Sequence, residues 1–434
     1  MILKKFYPQI LALALIVMGV FDVSVSALAQ TMQIIAPNAI LLDAGTNTVL
    51  FEKGADELVP PASTVKILTA EMIFRDLAAG KIKLDDEYVV SEYAWRNGGG
   101  PAGGTAMFLP LKSSARVEDL LRGLLVQSGN DAALVLAEGT AGSEETFVLR
   151  MNKRASELGL TKSRFSSPWG KFNEEQKVTA REMAKLASHI IAAYPTYYPY
   201  FGEKEFTWNK IRQQNRNPLL TMSLGADGLM TGALEKGDFG LVASAVQEGR
   251  RLIVAVYGAK TAKERAEDAQ KLLQWGFRNF DEKELFKAGE VIGPAQVYGG
   301  VKGSVDLASK TDVKALLPHG GTEKLSGKII YDGPISAPVA AGTSLGRLVI
   351  RRGQAVILEQ PLETTEAIAQ GALWRRTFDA IYESVAGTIH QKIEDKFSGK
   401  NERQIRFYLR QGGTIETVKK MIFDTSQSAL VGPC

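Results

Sequence analysis

Two stretches of the chain show apolar segments on either side of a short turn, the pattern typical of β-hairpins. Near the start, the mainly apolar segments 39–42 and 48–51 flank a polar turn and predict two paired strands. Further along, 240–246 and 251–257 flank the turn 248–250 and predict a second pair. Both pairs are expected to contribute to a buried sheet.

Helices are predicted where apolar residues recur every three to four positions. The predicted helical segments are 63–79, 117–139, 146–195 and 261–277, of which 146–195 is expected to be mostly helical. The first follows two prolines and ends at a glycine, which are start and stop signals. This mixture over about 31–280 predicts an α/β (α+β) domain whose sheet is covered by helices.

The pattern changes after this domain to short β-rich runs separated by Gly and Pro turns. These runs extend over about 286–362 and predict a separate small all-β domain of the sandwich type. The end of the chain, 393–434, is a polar tail in which a helix is expected over 402–410.

Between the β domain and the tail, the segment 371–392 predicts an amphipathic helix with basic flanks. Such a helix is typical of attachment to a membrane surface, and packing against protein is the alternative. Its apolar face is formed by Trp374, Phe378, Ile381, Tyr382, Val385 and Ile389.

The first residues have the composition of an export signal. Lys4 and Lys5 precede the apolar run 10–21, and Ala27-Leu28-Ala29 provides small residues for cleavage. The run is short for a membrane span of about 20 residues, so 1–29 is interpreted as a signal peptide rather than an anchor. The mature protein is expected outside the cytoplasm.

Composition argues against several function classes. A net charge of +4 over 434 residues, without a basic tract, gives no support for nucleic-acid binding. The single cysteine, Cys434, and three well-separated histidines provide no metal-ligand spacing. Neither a metal nor another cofactor is therefore expected.

The first candidate for chemistry is the pair Ser63 and Lys66 at a predicted helix start. A spacing of three places both side chains on one helix face. A serine needs a base within hydrogen-bond reach to act as a nucleophile, and a lysine with a lowered pKa can be that base. A capping serine followed by an ordinary helical lysine would look the same.

Two further groups of polar residues interrupt apolar segments. Ser128-Gly129-Asn130 can supply a hydroxyl for proton relay and an amide to hold a substrate carbonyl, although a turn between helices has the same composition. Met230-Thr231-Gly232 leads into the second strand pair, where an edge strand could bind an extended peptide.

Together the three groups are much more specific than each is alone. Ser63 and Ser128 are 65 residues apart, and Ser128 and Met230 are 102 apart. This order resembles the penicillin-recognising serine enzymes, and the spacings are similar to those of the D-alanyl-D-alanine carboxypeptidases of low molecular weight. The resemblance covers about 31–390, and it implies a β-lactamase/transpeptidase-like fold for the first domain.

The resemblance also implies roles. Ser63 is similar to the acylated nucleophile, Lys66 to its base, and Ser128 and Asn130 to the residues that relay protons and hold substrate. The carboxylate of the substrate would be bound by Arg216 and the third motif. The oxyanion would be bound by the backbone N–H groups of Ser63 and Ala233. The implied substrate is peptidoglycan pentapeptide and the implied inhibitors are β-lactams.

One departure from the family pattern concerns the third motif, where Met230 replaces a lysine and Ala233 stands where many relatives carry histidine. A neutral Met230 would weaken the electrostatics of the site, unless Lys236 compensates. Two readings therefore stay open: a serine D,D-carboxypeptidase, or a relative that binds peptidoglycan and penicillin with weak or no turnover.

Other activities of the same fold are less consistent with the sequence. A β-lactamase would need a carboxylate to activate the deacylating water, and the loop 166–170 carries none. An endopeptidase acting on cross-links is a further alternative. The implied location is periplasmic, with the protein attached to the outer face of the cytoplasmic membrane through 371–392.

Overall fold

The structure is a computed structural model of the full chain. It describes residues 32–234, 237–319, 325–332, 335–353 and 355–372, and the backbone of 402–406. The segments 1–29, 393–401 and 407–434, and nearly all of 371–392, lie outside the described residues. The predictions of a signal peptide and an amphipathic membrane helix fall on those segments. No helix in the described part is long and apolar enough to cross a bilayer.

The described helices are all in the first part of the chain. In chain order they are α1 (Lys66–Ala78), α2 (Glu92–Gly98), α3 (Val117–Leu125), α4 (Asn130–Ala141), α5 (Glu144–Glu157), α6 (Ala180–Ala193) and α7 (Ala262–Arg278).

The strands fall into two groups. The first is β1 (Asn38–Asp43), β2 (Val49–Lys53), β3 (Glu87–Val89), β4 (Ser114–Arg116), β5 (Glu205–Trp208), β6 (Ile211–Gln214), β7 (Ala226–Ala233), β8 (Phe239–Gln247) and β9 (Arg250–Ala259). The second is β10 (Phe280–Phe286), β11 (Val291–Tyr298), β12 (Ser304–Ala308), β13 (Val313–Pro318), β14 (Leu325–Tyr331), β15 (Ile335–Ser336), β16 (Ser344–Arg352), β17 (Ala355–Thr364) and β18 (Glu402–Arg406).

The first domain is built on a five-stranded antiparallel sheet in the order β2-β1-β9-β8-β7. Side chains alternate between its two faces. On one face Ile40 and Leu42 join the large core that includes α1, α4 and α6. On the other face Leu41 lies close to Gly276 of α7. Helices therefore cover both faces of the sheet, as the sequence predicts.

The second domain is entirely β in its described part. Seven strands form a sheet in the order β15-β11-β12-β17-β16-β14-β18, and β10 pairs with β13. The domain has a separate hydrophobic core, which includes Val305, Leu307, Leu348 and Ile350. Strand β10 begins at Phe280, before the predicted boundary at 286, and pairs with β13 inside the second domain.

Both predicted hairpins are confirmed by the pairing of β1 with β2 and of β8 with β9. The predicted single helix over 117–139 is wrong, because α3 ends at Leu125 and α4 begins at Asn130. Between them Ser128 has a φ of 61°, a left-handed conformation that ends a helix. This break between the two helices positions Ser128 and Asn130 in the site described below.

Two other helix predictions need correction. Within 146–195 the structure has α5 and α6 separated by a long irregular segment, so the prediction of mostly helix holds only for its ends. The expected helix over 402–410 is wrong for 402–406, where the backbone forms strand β18 and pairs with β14. Pairing with an available sheet edge satisfies backbone groups that a short isolated helix would leave partly exposed.

Candidate active site

Ser63 lies in a single 3₁₀ turn, Ala62–Val65, that leads directly into α1. Pro61 precedes the turn, and Ala62 has a φ of 47°, in the left-handed region that side chains seldom adopt. Thr64 Oγ1 donates to Pro61 O at 2.7 Å and lies 3.0 Å from the Tyr257 hydroxyl. The turn is thus fixed to the sheet, and it presents Ser63 as its only partly exposed member.

Two glycines allow other segments to approach this turn closely. A Cβ on Gly170 would lie 2.4 Å from Ala62 O, and one on Gly232 would lie 2.7 Å from Pro61 O. Any side chain at either position would collide with backbone atoms. The serine turn is therefore held between the loop at 170 and strand β7.

Lys66 is completely buried, and its amino group contacts the other three polar side chains of the first two motifs. Nζ lies 3.1 Å from Ser63 Oγ, 3.3 Å from Ser128 Oγ and 2.7 Å from Asn130 Oδ1. The structure thus brings together four side chains that the sequence places 67 residues apart at most. A base in hydrogen-bond reach of a serine is the geometry that nucleophilic catalysis requires.

The environment of Lys66 favours its neutral form. Burial lowers the pKa of the Lys66 ammonium from 10.5 to about 7, and the Asp131 carboxylate opposes part of this shift. A lysine with such a pKa is neutral in a large fraction of molecules near pH 7 and can accept the serine proton.

The break between α3 and α4 places the second motif. The left-handed Ser128 turns its carbonyl toward Thr105, whose hydroxyl donates to it at 2.7 Å. Asn130 N in turn donates to Thr105 O at 2.8 Å, and α4 begins there. The residue after the motif, Asp131, is buried and accepts from the backbone N–H groups of Met107 and Leu109. These contacts attach the preceding loop to α4 and orient Ser128 and Asn130.

The third motif lies on β7, which pairs with β8 and is an edge strand among the described strands of its sheet. Thr231 is 9% exposed, Met230 is 2% exposed within the hydrophobic core, and Ala233 is exposed. A Cβ on Gly232 would lie 3.2 Å from Ser63 N. The backbone segments that carry the N–H groups of Ser63 and Ala233 are therefore adjacent, as an oxyanion hole requires.

Arg216 lies at the margin of this arrangement. Its backbone N–H donates to Val126 O at 3.2 Å, two residues before Ser128, and its side chain is exposed. No contact of the Arg216 side chain with the motif residues is described. Lys236, the candidate for compensating Met230, lies outside the described residues.

A cation that the sequence analysis missed lies directly behind the third motif. Arg265 on α7 is 7% exposed, and its Nη1 donates to Gly232 O at 3.3 Å and to Gly240 O at 3.5 Å. Burial lowers the pKa of its guanidinium from 12.5 to about 10, so it remains charged at pH 7. The sequence does contain one signal for Arg265. It shares a helix face with the apolar residues Ala269 and Leu272, and a charged residue on such a buried face normally has a specific partner.

Among the described residues no three His, Cys, Asp or Glu side chains are grouped so as to hold a metal ion. The chemistry that the described side chains can perform is nucleophilic attack by Ser63 with Lys66 as base.

A family model described as D-alanyl-D-alanine carboxypeptidase matches residues 24–261, more than half of the chain. The chain belongs to the D-alanyl-D-alanine carboxypeptidase family.

Curated members of this family are similar over most of the chain. D-alanyl-D-alanine carboxypeptidase DacC of Escherichia coli (strain K12) is 38% identical over 346 residues, which cover 79% of this chain and 86% of the relative. DacA of Haemophilus influenzae is 34% identical over 358 residues, covering 82% and 91%. The resemblance drawn from the three motifs is confirmed.

Solved structures of the carboxypeptidase family agree with the fold. Penicillin binding protein 5 from Haemophilus influenzae has a TM-score of 0.66 and 35% identity, covering 78% of this chain and 99% of that one. Penicillin binding protein 6B from Escherichia coli has a TM-score of 0.59 and 32% identity, covering 76% and 96%. A second family model, penicillin-binding protein 5, C-terminal domain, matches 280–370. The predicted fold class, a serine hydrolase domain followed by a β domain, is confirmed.

Replacing Arg265 by Gln is expected to slow acylation by a D-Ala-D-Ala peptide by about ten- to a hundredfold. The reason is that a preorganised positive charge next to Gly232, on the edge strand β7, is lost. The measurement compares peptides that end in a free carboxylate with the same peptides amidated at the C-terminus. The carboxylate peptide should lose most, and Arg265→Lys should restore part of the rate. An equal loss for both peptides would assign Arg265 a structural role only.

Proposed function

We propose that this member of the family removes the terminal D-alanine from peptidoglycan pentapeptide through an acyl-enzyme on Ser63. Ser63 Oγ attacks the carbonyl carbon of the penultimate D-alanine while its proton passes to Lys66 Nζ. The backbone N–H groups of Ser63 and Ala233 stabilise the oxyanion that forms. The amide bond then breaks, and the departing D-alanine amine takes a proton relayed through Ser128.

Water completes the reaction by attacking the Ser63 ester. Lys66 accepts a proton from this water, the ester bond breaks, and the proton returns to Ser63 Oγ. Asn130 holds the carbonyl or amide of the substrate, and the edge strand β7 pairs with its extended backbone. A β-lactam would acylate Ser63 in the same way and would be released slowly.

The single observation that carries this proposal is the position of Lys66. It is fully buried, 3.1 Å from Ser63 Oγ, and its pKa is lowered by burial to about 7. A structural lysine would be expected to pair with a carboxylate, whereas the three described partners of Nζ are neutral oxygens.

Purified mature protein should therefore react with a fluorescent penicillin and release D-alanine from a pentapeptide ending in D-Ala-D-Ala. The two assays separate the proposed enzyme from the relative that binds without turnover. Labelling without release of D-alanine would favour the binding protein. Failure of both reactions would contradict the whole assignment.

The alternative, a relative that binds peptidoglycan and penicillin with weak or no turnover, depends on Met230. In the structure it is buried on β7, one residue before Thr231. Replacing it by Lys is expected to raise the acylation rate about tenfold, or about 1.4 kcal/mol of transition-state free energy. A second ammonium would disfavour the charged form of Lys66 and would attract the substrate carboxylate. The measurement is the second-order rate of acylation by penicillin and by peptide.

Two control variants accompany this measurement. Met230→Leu keeps the site neutral and should leave the rate unchanged. Lys236→Ala tests whether Lys236 already supplies the missing charge. A rate that stays constant in Met230→Lys but collapses in Lys236→Ala would show that the charge of Lys236 compensates, and our expectation for Met230 would be wrong.

We further propose export to the periplasm and attachment to the outer face of the cytoplasmic membrane through 371–392. The support is the sequence alone: the signal-like residues 1–29 and the face formed by Trp374, Phe378 and Tyr382. Ending the chain at Gly371 should move the mature protein from the membrane pellet to the soluble fraction, with penicillin labelling intact. A truncated protein that still sediments with membranes would place the anchor elsewhere.

A further inference from the structure

A second charged cleft lies outside the active site, between the end of α1 and the last turns of α5. Its volume is about 320 Å³. Five cations and one carboxylate line it: Arg75, Lys81, Arg150, Lys153, Arg154 and Glu157. This volume is at the lower end of the range found for ligand pockets, about 300–1,000 Å³, although such pockets are usually more apolar.

The position of the cleft separates it from catalysis. Arg75 follows Lys66 by nine positions on α1, which corresponds to about 14 Å along the helix axis. The buried Lys66 is at the start of α1, whereas Arg75 is in its last turn and Lys81 follows the helix. A ligand here would not occupy the groove at Ser63.

The carboxylates around the cleft do not neutralise its cations. Asp76 pairs with Arg150 at 2.8 Å and with Lys81 at 3.4 Å. Arg154 donates to Glu71 at 2.6 Å and lies 3.1 Å from Glu157. These three carboxylates face the five cations that line the cleft, which leaves an excess of two positive charges.

One of the cations, Arg75, is poorly satisfied by the protein. Arg75 Nε is buried and has no hydrogen-bond partner among the described residues. Its two ion pairs, to Asp76 and Glu157, are both long at 3.8 Å. Lys153 is exposed, and its charge acts on the carboxylate of Glu157, which also lines the cleft. A buried donor without a partner costs free energy, which an acceptor in the cleft would recover.

We propose that this cleft binds a phosphate group. Guanidinium and ammonium donors reach it from α1 and α5, and a phosphate offers several acceptor oxygens and up to two charges to satisfy them. A single carboxylate would satisfy fewer of these donors. The phosphate can belong to a soluble phosphate ester or to a lipid headgroup, which share the same recognition chemistry.

The test uses full-length mature protein and two probes. Inorganic pyrophosphate is titrated at low salt by calorimetry, against sodium chloride of equal ionic strength. Sedimentation is measured with vesicles that contain phosphatidylglycerol and with neutral vesicles, and only the difference between the two counts as binding to the cleft, because the proposed anchor 371–392 is present in both assays. Arg75→Gln combined with Lys153→Gln should weaken binding of at least one probe by tenfold or more. These two substitutions leave the closest ion pairs, Arg150 with Asp76 and Arg154 with Glu71, intact.

Lys263→Gln is the matched control, because Lys263 is an exposed lysine on α7 and should bind both probes as wild type does. Penicillin labelling of each variant confirms its fold. If the double variant loses binding of pyrophosphate, a soluble phosphate is sufficient as ligand. If it loses only binding to the phosphatidylglycerol vesicles, the ligand is a lipid headgroup. Unchanged binding in the double variant, or no binding of either probe by wild type, would overturn the proposal.

Discussion

Replacing Ser63 by Ala is expected to abolish acylation by penicillin and by peptide, because no other described hydroxyl both contacts Lys66 and lies in the tight turn between Gly170 and Gly232. Ser128 Oγ also lies near Lys66 Nζ, at 3.3 Å, and is the one hydroxyl of the described site that could substitute. Mass spectrometry of the digested adduct should place the label on the peptide that contains Ser63.

Ser304→Ala provides the control for removal of a hydroxyl. Ser304 is exposed on β12 in the second domain, and its variant should label as wild type does. An adduct that persists in Ser63→Ala, with its mass on the peptide containing Ser128, would contradict the assignment of the nucleophile.

Replacing Lys66 by Gln is expected to slow acylation by about 10²–10⁴, the usual contribution of a positioned base. Gln keeps a hydrogen-bonding group near Ser63 but cannot accept the proton. In wild type the rate should depend on the neutral fraction of Lys66, whose pKa burial lowers to about 7. The rate should therefore rise as pH increases through 7 and become constant above it.

The measurement is the acylation rate from pH 5 to 9 for wild type and Lys66→Gln. The variant should lose the rise near pH 7, whereas Lys263→Gln should retain it. A wild-type rate that falls as pH increases through 7 would mean that charged Lys66 is the active form, and the proposed role as base would be wrong.

The residues of the three motifs could be predicted from the sequence because each motif is local. Ser63 and Lys66 share one helix face by spacing alone, and Ser128 and Asn130 interrupt an apolar segment. What the sequence could not provide was the distance between the motifs. That distance depends on the break at Ser128, whose left-handed backbone is sustained by contacts with Thr105.

Arg265 and Gly170 escaped the sequence analysis for the same physical reason. Their importance comes from tertiary contacts, of Arg265 with Gly232 O and of Gly170 with Ala62, and not from local pattern. The hairpins were predictable from apolar segments on either side of a short turn. The order of the sheet was not, because β1 pairs with β9, which lies about 200 residues away in the sequence. The strand β18 shows that pairing with a distant edge can override a local helical pattern.

Arg250, the first residue of β9, connects the first domain to the start of the second. Its guanidinium donates to the carbonyls of Gly276 and Phe277 at the end of α7, and to Phe280 at the start of β10. The chain passes from one domain to the other within these few residues. Bending at this junction would have to break charge-assisted hydrogen bonds first. The three hydrogen bonds of Arg250 therefore stiffen the connection between the first domain and the β domain.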